Sequence, residues 1–175
     1  MILRLVTPSR VAASVADLDP RDLARSGIRG VILDLDNTIV PWGEAVPTEV
    51  ARAWVAGLLR EGLRVCIVSN NSRVWAAQVG DILKVPVVGW ALKPVPFGFR
   101  RALAIMGTAP GETALVGDQL FTDVLGGNLL GLRTILVEPL SAREFPTTRL
   151  VRRLERLIRD RVVRSISPAP RRMGD

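Results

Sequence analysis

The sequence contains no histidine and no tyrosine, and only one cysteine and two lysines are found among its 175 residues. Without histidine, a Ser-His-Asp triad, a histidine general base, a phosphohistidine and a His-ligated zinc site are all excluded. The single cysteine, Cys66, cannot form a disulfide within the chain, which is typical of a reducing compartment. It cannot start a cysteine-phosphatase loop either, because six residues rather than five separate it from Arg73. Since it lies in the apolar run RVCIVSN, we predict a buried core thiol rather than a reactive one.

The chain also lacks any apolar stretch near the roughly 20 residues that a membrane span requires. Its first ten residues, MILRLVTPSR, are too short and too soon charged to be a secretory signal. We therefore expect a cytoplasmic protein with one hydrophobic core, in keeping with a hydrophobic content of 48%. The net charge of +7 comes mainly from arginine, since 24 basic residues include only two lysines. This basicity indicates attraction to anions in general, without specifying which anion.

Short aliphatic runs alternate with helical patterns along the chain. Five runs are typical of strands buried on both faces, namely residues 30–36, 64–70, 85–90, 113–118 and 133–138. Helices are predicted between them, with Thr48 and Ser72 as N-caps, Pro96 at a start, and Gly62 and Gly107 at ends. This alternation predicts an α/β fold, a three-layer, doubly wound, Rossmann-like parallel sheet with strand order 3-2-1-4-5. Before the first strand, residues 7–26 are predicted to add one or two short helices.

One basic amphipathic helix is predicted after the last strand, at residues 147–164. Seven arginines against two acidic residues give this segment a net charge of +5, and its apolar residues recur at helical spacing at Leu150, Leu154, Leu157, Ile158 and Val162. Such a helix either packs its apolar stripe on its own sheet, the commoner outcome, or binds anionic lipid. We expect residues 1–165 to form a single domain without a cap, and residues 166–175 to form a flexible tail.

Polar residues follow four of the predicted strands where each strand ends, which is where open α/β sheets bind their ligands. They are Asp34 and Asp36 after the first strand, Ser69 and Asn70 after the second, Lys93 after the third, and Asp118 with Asp123 after the fourth. Carboxylates beside a buried strand are costly unless a cation or hydrogen-bond donors stabilise them. Taken singly, Asp36 could form a turn and Asp118 could cap a helix. Four such clusters in order favour one shared site.

These clusters resemble the motifs of the haloacid dehalogenase (HAD) superfamily of Mg²⁺-dependent aspartyl phosphatases. The run from Asp34 to Thr38, DLDNT, resembles the first motif, Ser69 the second, Lys93 the third, and Gly117-Asp118 with Asp123 the fourth. The resemblance is closer still to the YqeG-like, subclass IIIA phosphatases, through DLDNTIVPW, IVSNN, LKP and GDQLFTDVLGGN. It extends to GIRGVILDLDN and to TRLVRRLERLI, and so covers nearly the whole chain.

The resemblance implies a phosphatase with a defined set of roles. Asp34 would be the nucleophile that carries the phosphoryl group, and Asp36 the general acid and then base. Mg²⁺ would be bound by Asp34, the backbone carbonyl of Asp36 and Asp118, with Asp123 either a further ligand or an acceptor behind them. The phosphate oxygens would be held by Lys93, the Ser69 hydroxyl and the Asn70 backbone amide. Thr38 would orient Asp36 or the turn around it.

The gaps between these motifs are too short for a cap domain. About ten residues, VPWGEAVPTE, follow the first motif, and one helix and one strand fill the chain from Ser69 to Lys93. The site should therefore be open, which suits a bulky or surface-presented phosphomonoester, or closure by a neighbouring subunit in a homo-oligomer. Trp42, on the short flap, either contacts an apolar part of the substrate or a partner, or packs on the domain. Mitochondrial relatives of this subgroup act on phosphatidylglycerophosphate.

The candidate substrates are thus a phosphorylated small molecule or a phospholipid head group, the latter with peripheral contact to an anionic membrane. Two other functions stay open. A HAD-like domain could serve mainly to dock on a protein partner, although the complete set Asp34, Asp36, Lys93 and Asp118 argues against lost chemistry. The arginines could bind ribosomes or RNA, but the absence of tyrosine argues against base stacking, and no DNA binding is expected.

Overall fold

A parallel sheet of six strands forms the centre of the molecule, and helices surround it. The computed structural model describes residues 5–141 of the chain. The strands are β1 (Arg10–Ala12), β2 (Gly30–Leu33), β3 (Arg64–Val68), β4 (Val87–Val88), β5 (Thr113–Gly117) and β6 (Arg133–Val137). Their order across the sheet is β1-β6-β5-β2-β3-β4, and every neighbouring pair is parallel. All six carboxyl ends therefore lie along one edge of the sheet.

The predicted order of five strands, 3-2-1-4-5, is confirmed by β4-β3-β2-β5-β6. The sixth strand, β1, was not predicted, because only helices were expected in residues 7–26. Those helices are present as a 3₁₀ turn at Val15–Asp17 and α1 at Pro20–Arg25, but β1 precedes them and pairs with β6, with Arg10 opposite Ile135. Three residues are too few to show an alternating pattern, so β1 owes its conformation to pairing with β6.

The longer helices begin and end where local sequence signals predict. They are α2 (Glu49–Arg60), α3 (Arg73–Leu83) and α4 (Pro96–Met106), followed by the short α5 (Leu125–Leu129). The Thr48 and Ser72 hydroxyls accept hydrogen bonds from backbone N–H groups in the first turns of α2 and α3. Gly107 ends α4 in the left-handed conformation, at φ +62°.

Apolar cores cover both faces of the sheet because side chains of a strand alternate between its faces. In β2, Val31 and Leu33 join the larger core, which contains buried residues of α2 and α3. Ile32, between them, joins the smaller core with Cys66 and Phe99, which α4 covers. The three-layer arrangement predicted from the sequence is thereby confirmed.

The connections at the carboxyl edge are short in the described part of the chain. Only a turn and flap, residues 34–48, link β2 to α2, and only α3 with its loops lies between β3 and β4. No inserted cap domain is present within residues 5–141. The search of these residues for a helix able to cross a membrane found none. The predicted helix 147–164 and the tail 166–175 lie outside the described residues, so the boundary at residue 165 stays a prediction.

Candidate active site

The chain leaves β2 through a tight turn that fixes Asp34. The Asp34 N–H donates to the Val116 carbonyl at 2.9 Å, which extends the β2–β5 ladder by one residue. Beyond it, Ile39 and Val40 both donate to the Leu35 carbonyl, so the backbone folds back at once. Asp34 therefore lies at the junction between a rigid strand and a closed turn.

Asn37 holds this turn together from within. Its backbone is left-handed, at φ +61°, which asparagine tolerates better than most residues. Its side-chain Oδ1 accepts from the Trp42 N–H at 3.2 Å and from the Ser141 hydroxyl at 2.8 Å. Asn37 thus fastens both the flap, where Trp42 is half-buried, and the segment that follows β6.

A buried charge cluster lies beneath this turn. The Lys93 ammonium donates to Asp34 Oδ1 and, at 2.8 Å, to Asp123 Oδ1. All three side chains are almost fully removed from solvent. Burial lowers the pKa of Lys93, but the charges of Asp123 and Asp34 outweigh it, so the net shift is upward and the ammonium stays charged. Burial raises the pKa of Asp123 to about 6, against the opposing effect of Lys93.

A third carboxylate completes the cluster. Asp118 is 1% exposed, and one oxygen each from Asp34, Asp118 and Asp123 lie within 4.8 Å of one another. The Thr38 hydroxyl donates to Asp34 Oδ2 at 3.0 Å and lies 3.5 Å from Asp118 Oδ1. Three carboxylates against one ammonium leave negative charge in a dry site, which a divalent cation would neutralise. A set made only of oxygen donors fits a hard cation such as Mg²⁺.

The segment after β5 is shaped to bring Asp123 back to the sheet. Residues Leu120–Val124 form a π-helical turn, a feature often found at functional sites. The Gln119 N–H donates to Asp123 Oδ2 at 3.2 Å. A Cβ on Gly117 would lie 2.5 Å from the Asp123 carboxylate, so only glycine leaves room for this close approach.

Asp36 has a different environment from Asp34, although only one residue separates them. It is half-buried, and its carboxylate accepts from the Ser69 hydroxyl at 3.4 Å and from Asn71 Nδ2 at 3.5 Å. Burial, and next the charge of Asp34, raise the pKa of Asp36 above its usual range. Asp36 is therefore shifted toward holding a proton, whereas Asp34 contacts the cationic side chain of Lys93.

The loop after β3 supports Lys93 from behind. The Asn70 side chain accepts from the Lys93 N–H at 2.6 Å and donates to the Lys93 carbonyl at 3.2 Å. The Ser69 hydroxyl, besides facing Asp36, accepts from the Asn71 N–H at 2.9 Å. Asn70 is thus a positioning residue through its side chain, whereas the sequence pointed only to its backbone amide.

The structure brings all the predicted site residues to one edge of the sheet, with two corrections. The Thr38 hydroxyl contacts Asp34 and Asp118, not Asp36 as one predicted alternative had it, because the turn closes over Asp34. Sequence reasoning assigned no role to Asn71, which contacts Asp36, because two adjacent asparagines after a strand also fit a simple turn. The Asp36 carboxylate lies outside the group of Asp34, Asp118 and Asp123. A metal-binding role for the Asp36 carbonyl stays a prediction.

Comparison with known proteins identifies relatives of the whole described fold. A family model described as HAD-hydrolase-like matches residues 91–142. The chain is 34% identical over 158 residues to the probable phosphatase YqeG of Bacillus subtilis, covering 90% of this chain and 92% of that one. It is 29% identical over 151 residues to the chloroplastic phosphatidylglycerophosphate phosphatase 1 of Chlamydomonas reinhardtii. That match covers 81% of this chain but 56% of the algal protein.

A solved structure agrees with the fold. The cobalt-bound deoxy-D-mannose-octulosonate 8-phosphate phosphatase YrbI of Haemophilus influenzae matches with a TM-score of 0.53 at 15% identity. The match covers 63% of this chain and 68% of that one. At this identity the likeness concerns the arrangement of strands and helices, which is the same arrangement that carries the acidic cluster here.

Proposed function

The chain belongs to the HAD superfamily of phosphatases, and from this premise we propose that it hydrolyses a phosphomonoester with Mg²⁺ and an aspartyl-phosphate on Asp34. The observation that carries the proposal is the buried cluster of Asp34, Asp118, Asp123 and Lys93. These residues follow three different strands, and a structural role alone gives no reason to collect three carboxylates around one lysine.

The metal would be held by Asp34 and Asp118, with Asp123 as a further ligand or as the acceptor that keeps Lys93 in place. When bound, the ion would neutralise charge on the phosphate and on the attacking carboxylate. Cobalt in the structurally similar Haemophilus protein is a property of that protein, but it is compatible with a divalent-ion site on this fold.

In the first step an oxygen of the Asp34 carboxylate attacks phosphorus and the bond from phosphorus to the alcohol oxygen breaks. Asp36 gives its proton to the departing oxygen, a role that its raised pKa supports. In the second step the Asp36 carboxylate takes a proton from water, and the resulting hydroxide attacks the phosphorus on Asp34. Inorganic phosphate leaves, the Asp34 carboxylate is restored, and Asp36 is again protonated.

The remaining side chains act on position and charge. The Lys93 ammonium, already in contact with Asp34, is within reach of a phosphate bound at that carboxylate. Thr38 orients Asp34, Asn70 orients Lys93, and Ser69 with Asn71 orients Asp36. The Ser69 hydroxyl and the Asn70 backbone amide are proposed to hold phosphate oxygens as well.

The open carboxyl edge favours a substrate whose phosphate is presented by a larger body. Two plant and algal proteins that resemble this chain are named phosphatidylglycerophosphate phosphatases. We therefore propose a phospholipid head group, with phosphatidylglycerophosphate as the first candidate, and peripheral contact with an anionic membrane on its cytoplasmic side. A soluble phosphomonoester is the second candidate.

The decisive measurement is phosphate release from an aryl phosphate and from phosphatidylglycerophosphate, with Mg²⁺ and with EDTA. We expect turnover only with the metal, and none detectable in Asp34→Asn, which keeps the size of the side chain but loses the nucleophile. The exposed Asp81 on α3 provides the matched control, Asp81→Asn, which should retain full activity. Activity that survives Asp34→Asn would contradict the mechanism.

A second variant separates the two steps. Asp36→Asn should strongly reduce turnover of the lipid, because the alcohol of the lipid is a poor leaving group that needs a proton. The first step on the aryl phosphate should be reduced less, because its leaving group needs little protonation. Because water activation is also impaired, the phosphorylated enzyme should accumulate and be visible by mass spectrometry as one added phosphoryl group. An unmodified Asp34 under these conditions would argue for direct attack by water.

A further inference from the structure

Residues 90–97, which carry Lys93 into the active site, show an inverted polarity. Four large apolar side chains in this segment are between 50% and 63% exposed, namely Trp90, Leu92, Val95 and Phe97. Ala91 and Lys93, which alternate with Trp90 and Leu92, are buried, and Pro94 is half-buried. The segment therefore turns its one charged side chain inward and its largest apolar side chains outward. Exposed large apolar side chains grouped in one short segment are typical of an interaction site.

The exposure is built into the backbone of the segment. Trp90 and Leu92 are left-handed, at φ +52° and +56°, a conformation that large side chains rarely adopt. The Trp90 N–H donates to the Asn71 carbonyl at 3.1 Å, and the Ala91 N–H donates to the Ser69 carbonyl at 3.0 Å. Strain of this kind persists only where surrounding contacts enforce it, and it concentrates at functional segments. These two bonds, together with those from the Asn70 side chain to the Lys93 backbone, fix the segment against the loop after β3.

The exposed side chains adjoin the active-site lysine along the chain. Leu92 precedes Lys93 directly, and the Lys93 ammonium contacts the Asp34 carboxylate. A partner surface that covers Leu92 and Trp90 therefore lies next to the residue whose side chain contacts the nucleophile. A surface that presents phosphomonoesters along its face would satisfy both the apolar side chains and the site.

The charge around the segment selects the kind of surface. No aspartate or glutamate occurs between Asp81 and Glu112, whereas Lys84, Arg100 and Arg101 lie in that stretch and are exposed. Arg100 and Arg101 follow Phe97 by three and four residues on α4, so they share its face of the helix. Apolar side chains flanked by arginines, with a tryptophan among them, have the composition of an interfacial contact with anionic lipid.

We propose that residues 90–97 dock on an anionic phospholipid bilayer, with the four apolar side chains in the interface and Arg100 and Arg101 at the head groups. The choice of partner rests on the proposed lipid phosphomonoester substrate. Docking in this orientation would bring the part of the carboxyl edge that carries Lys93 and Asp34 toward the membrane, so that a head-group phosphate could reach Asp34 without the lipid leaving the bilayer.

The test is co-sedimentation of the full-length protein with vesicles, in the Asp34→Asn background so that no lipid is turned over. Vesicles contain phosphatidylcholine alone or with an equal part of phosphatidylglycerol. Binding is measured at about 0.1 M and at about 0.5 M salt, and at the higher concentration surface charges are screened within a few ångströms. High salt suppresses binding through arginines elsewhere in the chain, and leaves the apolar contribution. Trp90→Asn with Leu92→Asn removes the apolar groups while respecting the left-handed backbone, and Phe97→Gln provides a second variant.

We expect the Asp34→Asn protein with residues 90–97 unchanged to keep binding vesicles at high salt. Each variant of this segment should bind about tenfold more weakly. Ile105→Gln is the matched control, because Ile105 is 47% exposed on the same helix but lies about 12 Å along the helix axis from Phe97. This control variant should bind vesicles normally. Equal binding of the variants and the control would overturn the proposal, as would failure of the parent protein to bind either vesicle. Dimerisation that the variants abolish would overturn it in favour of a second copy of this chain. Vesicle binding is measured without catalysis, so a failure to bind would not contradict the phosphatase mechanism. Likewise, a failure of the phosphatase assay would not contradict vesicle binding.

Discussion

The charge cluster under the carboxyl edge and the 90–97 segment above it both break the usual rule of apolar inside and polar outside, but in opposite ways. Ion pairs and hydrogen bonds within the described chain stabilise the buried carboxylates and Lys93, although three carboxylates still outnumber the one ammonium. The exposed Trp90 and Leu92 side chains have no comparable compensation, since they remain 58% and 63% exposed. The first exception is compensated largely within the fold, and a divalent cation would neutralise the remaining negative charge. The second points to something outside the fold, and four predictions test this difference.

The largest effect should come from the buried side of the comparison. Lys93→Met leaves Asp34 and Asp123 without their cation, and removing one partner of a buried ion pair costs about 3–5 kcal/mol. We expect this loss in the free energy of unfolding measured with urea and EDTA, and a partial recovery when Mg²⁺ is added.

The chain offers a direct control because its only other lysine is exposed. Lys84→Met should change the free energy of unfolding by less than about 0.5 kcal/mol. Equal effects of the two variants would mean that the cluster contributes nothing special to stability.

A smaller effect is expected from crowding Asp123. In Gly117→Ala the new methyl group meets the Asp123 carboxylate at 2.5 Å, and overpacking of this kind costs about 1–3 kcal/mol. The Mg²⁺ concentration that gives half-maximal activity should rise as well, because the carboxylate must shift. Gly111→Ala, where a Cβ has nothing within 4 Å, should leave both quantities unchanged.

Removing an exposed side chain of the 90–97 segment should not lower the free energy of unfolding, in contrast to changes in the buried cluster. Leu92→Gly removes a side chain that packs on little and relieves a left-handed backbone, so stability should stay the same or rise by about 1 kcal/mol. Ile105→Gly, at an exposed position inside α4 with a normal helical backbone, should lose about 1 kcal/mol. Thermal unfolding of the pair decides the question, and a marked loss in Leu92→Gly would mean that Leu92 belongs to the core.

The smallest effect concerns a buried thiol that has no partner in the reaction. Burial raises the pKa of Cys66 to about 12, so the native thiol should resist alkylation at pH 8 and react fully after unfolding. Its contribution to stability is complete below about pH 9 and is lost as the pH rises through about 12, when the folded thiol begins to ionise. Rapid labelling of the folded protein at pH 8 would show that the sheet opens at β3.

The sequence predicted most of the fold because local signals and global arrangement agree. Apolar runs gave β2 to β6 and their order, and Thr48, Ser72, Pro96 and Gly107 marked helix ends where the structure has them. β1 escaped notice because its three residues carry no period of their own. The helix predicted between the last two strands divides into a π-helical turn and a short α-helix, and the π-helical turn brings Asp123 close to Gly117.

The sequence by itself determined which side chains meet at the carboxyl edge, because parallel strands bring their ends to one side whatever the details of packing. It could not determine which atom faces which: Thr38 donates to Asp34, Asn70 clasps the backbone of Lys93, and Asn71 contacts Asp36. It also could not reveal the outward turn of Trp90 and Leu92, because hydrophobicity predicts burial. Only the tertiary structure decided these points, because the direction of each side chain depends on the closed turn after β2 and on hydrogen bonds between the separate segments after β2, β3 and β4.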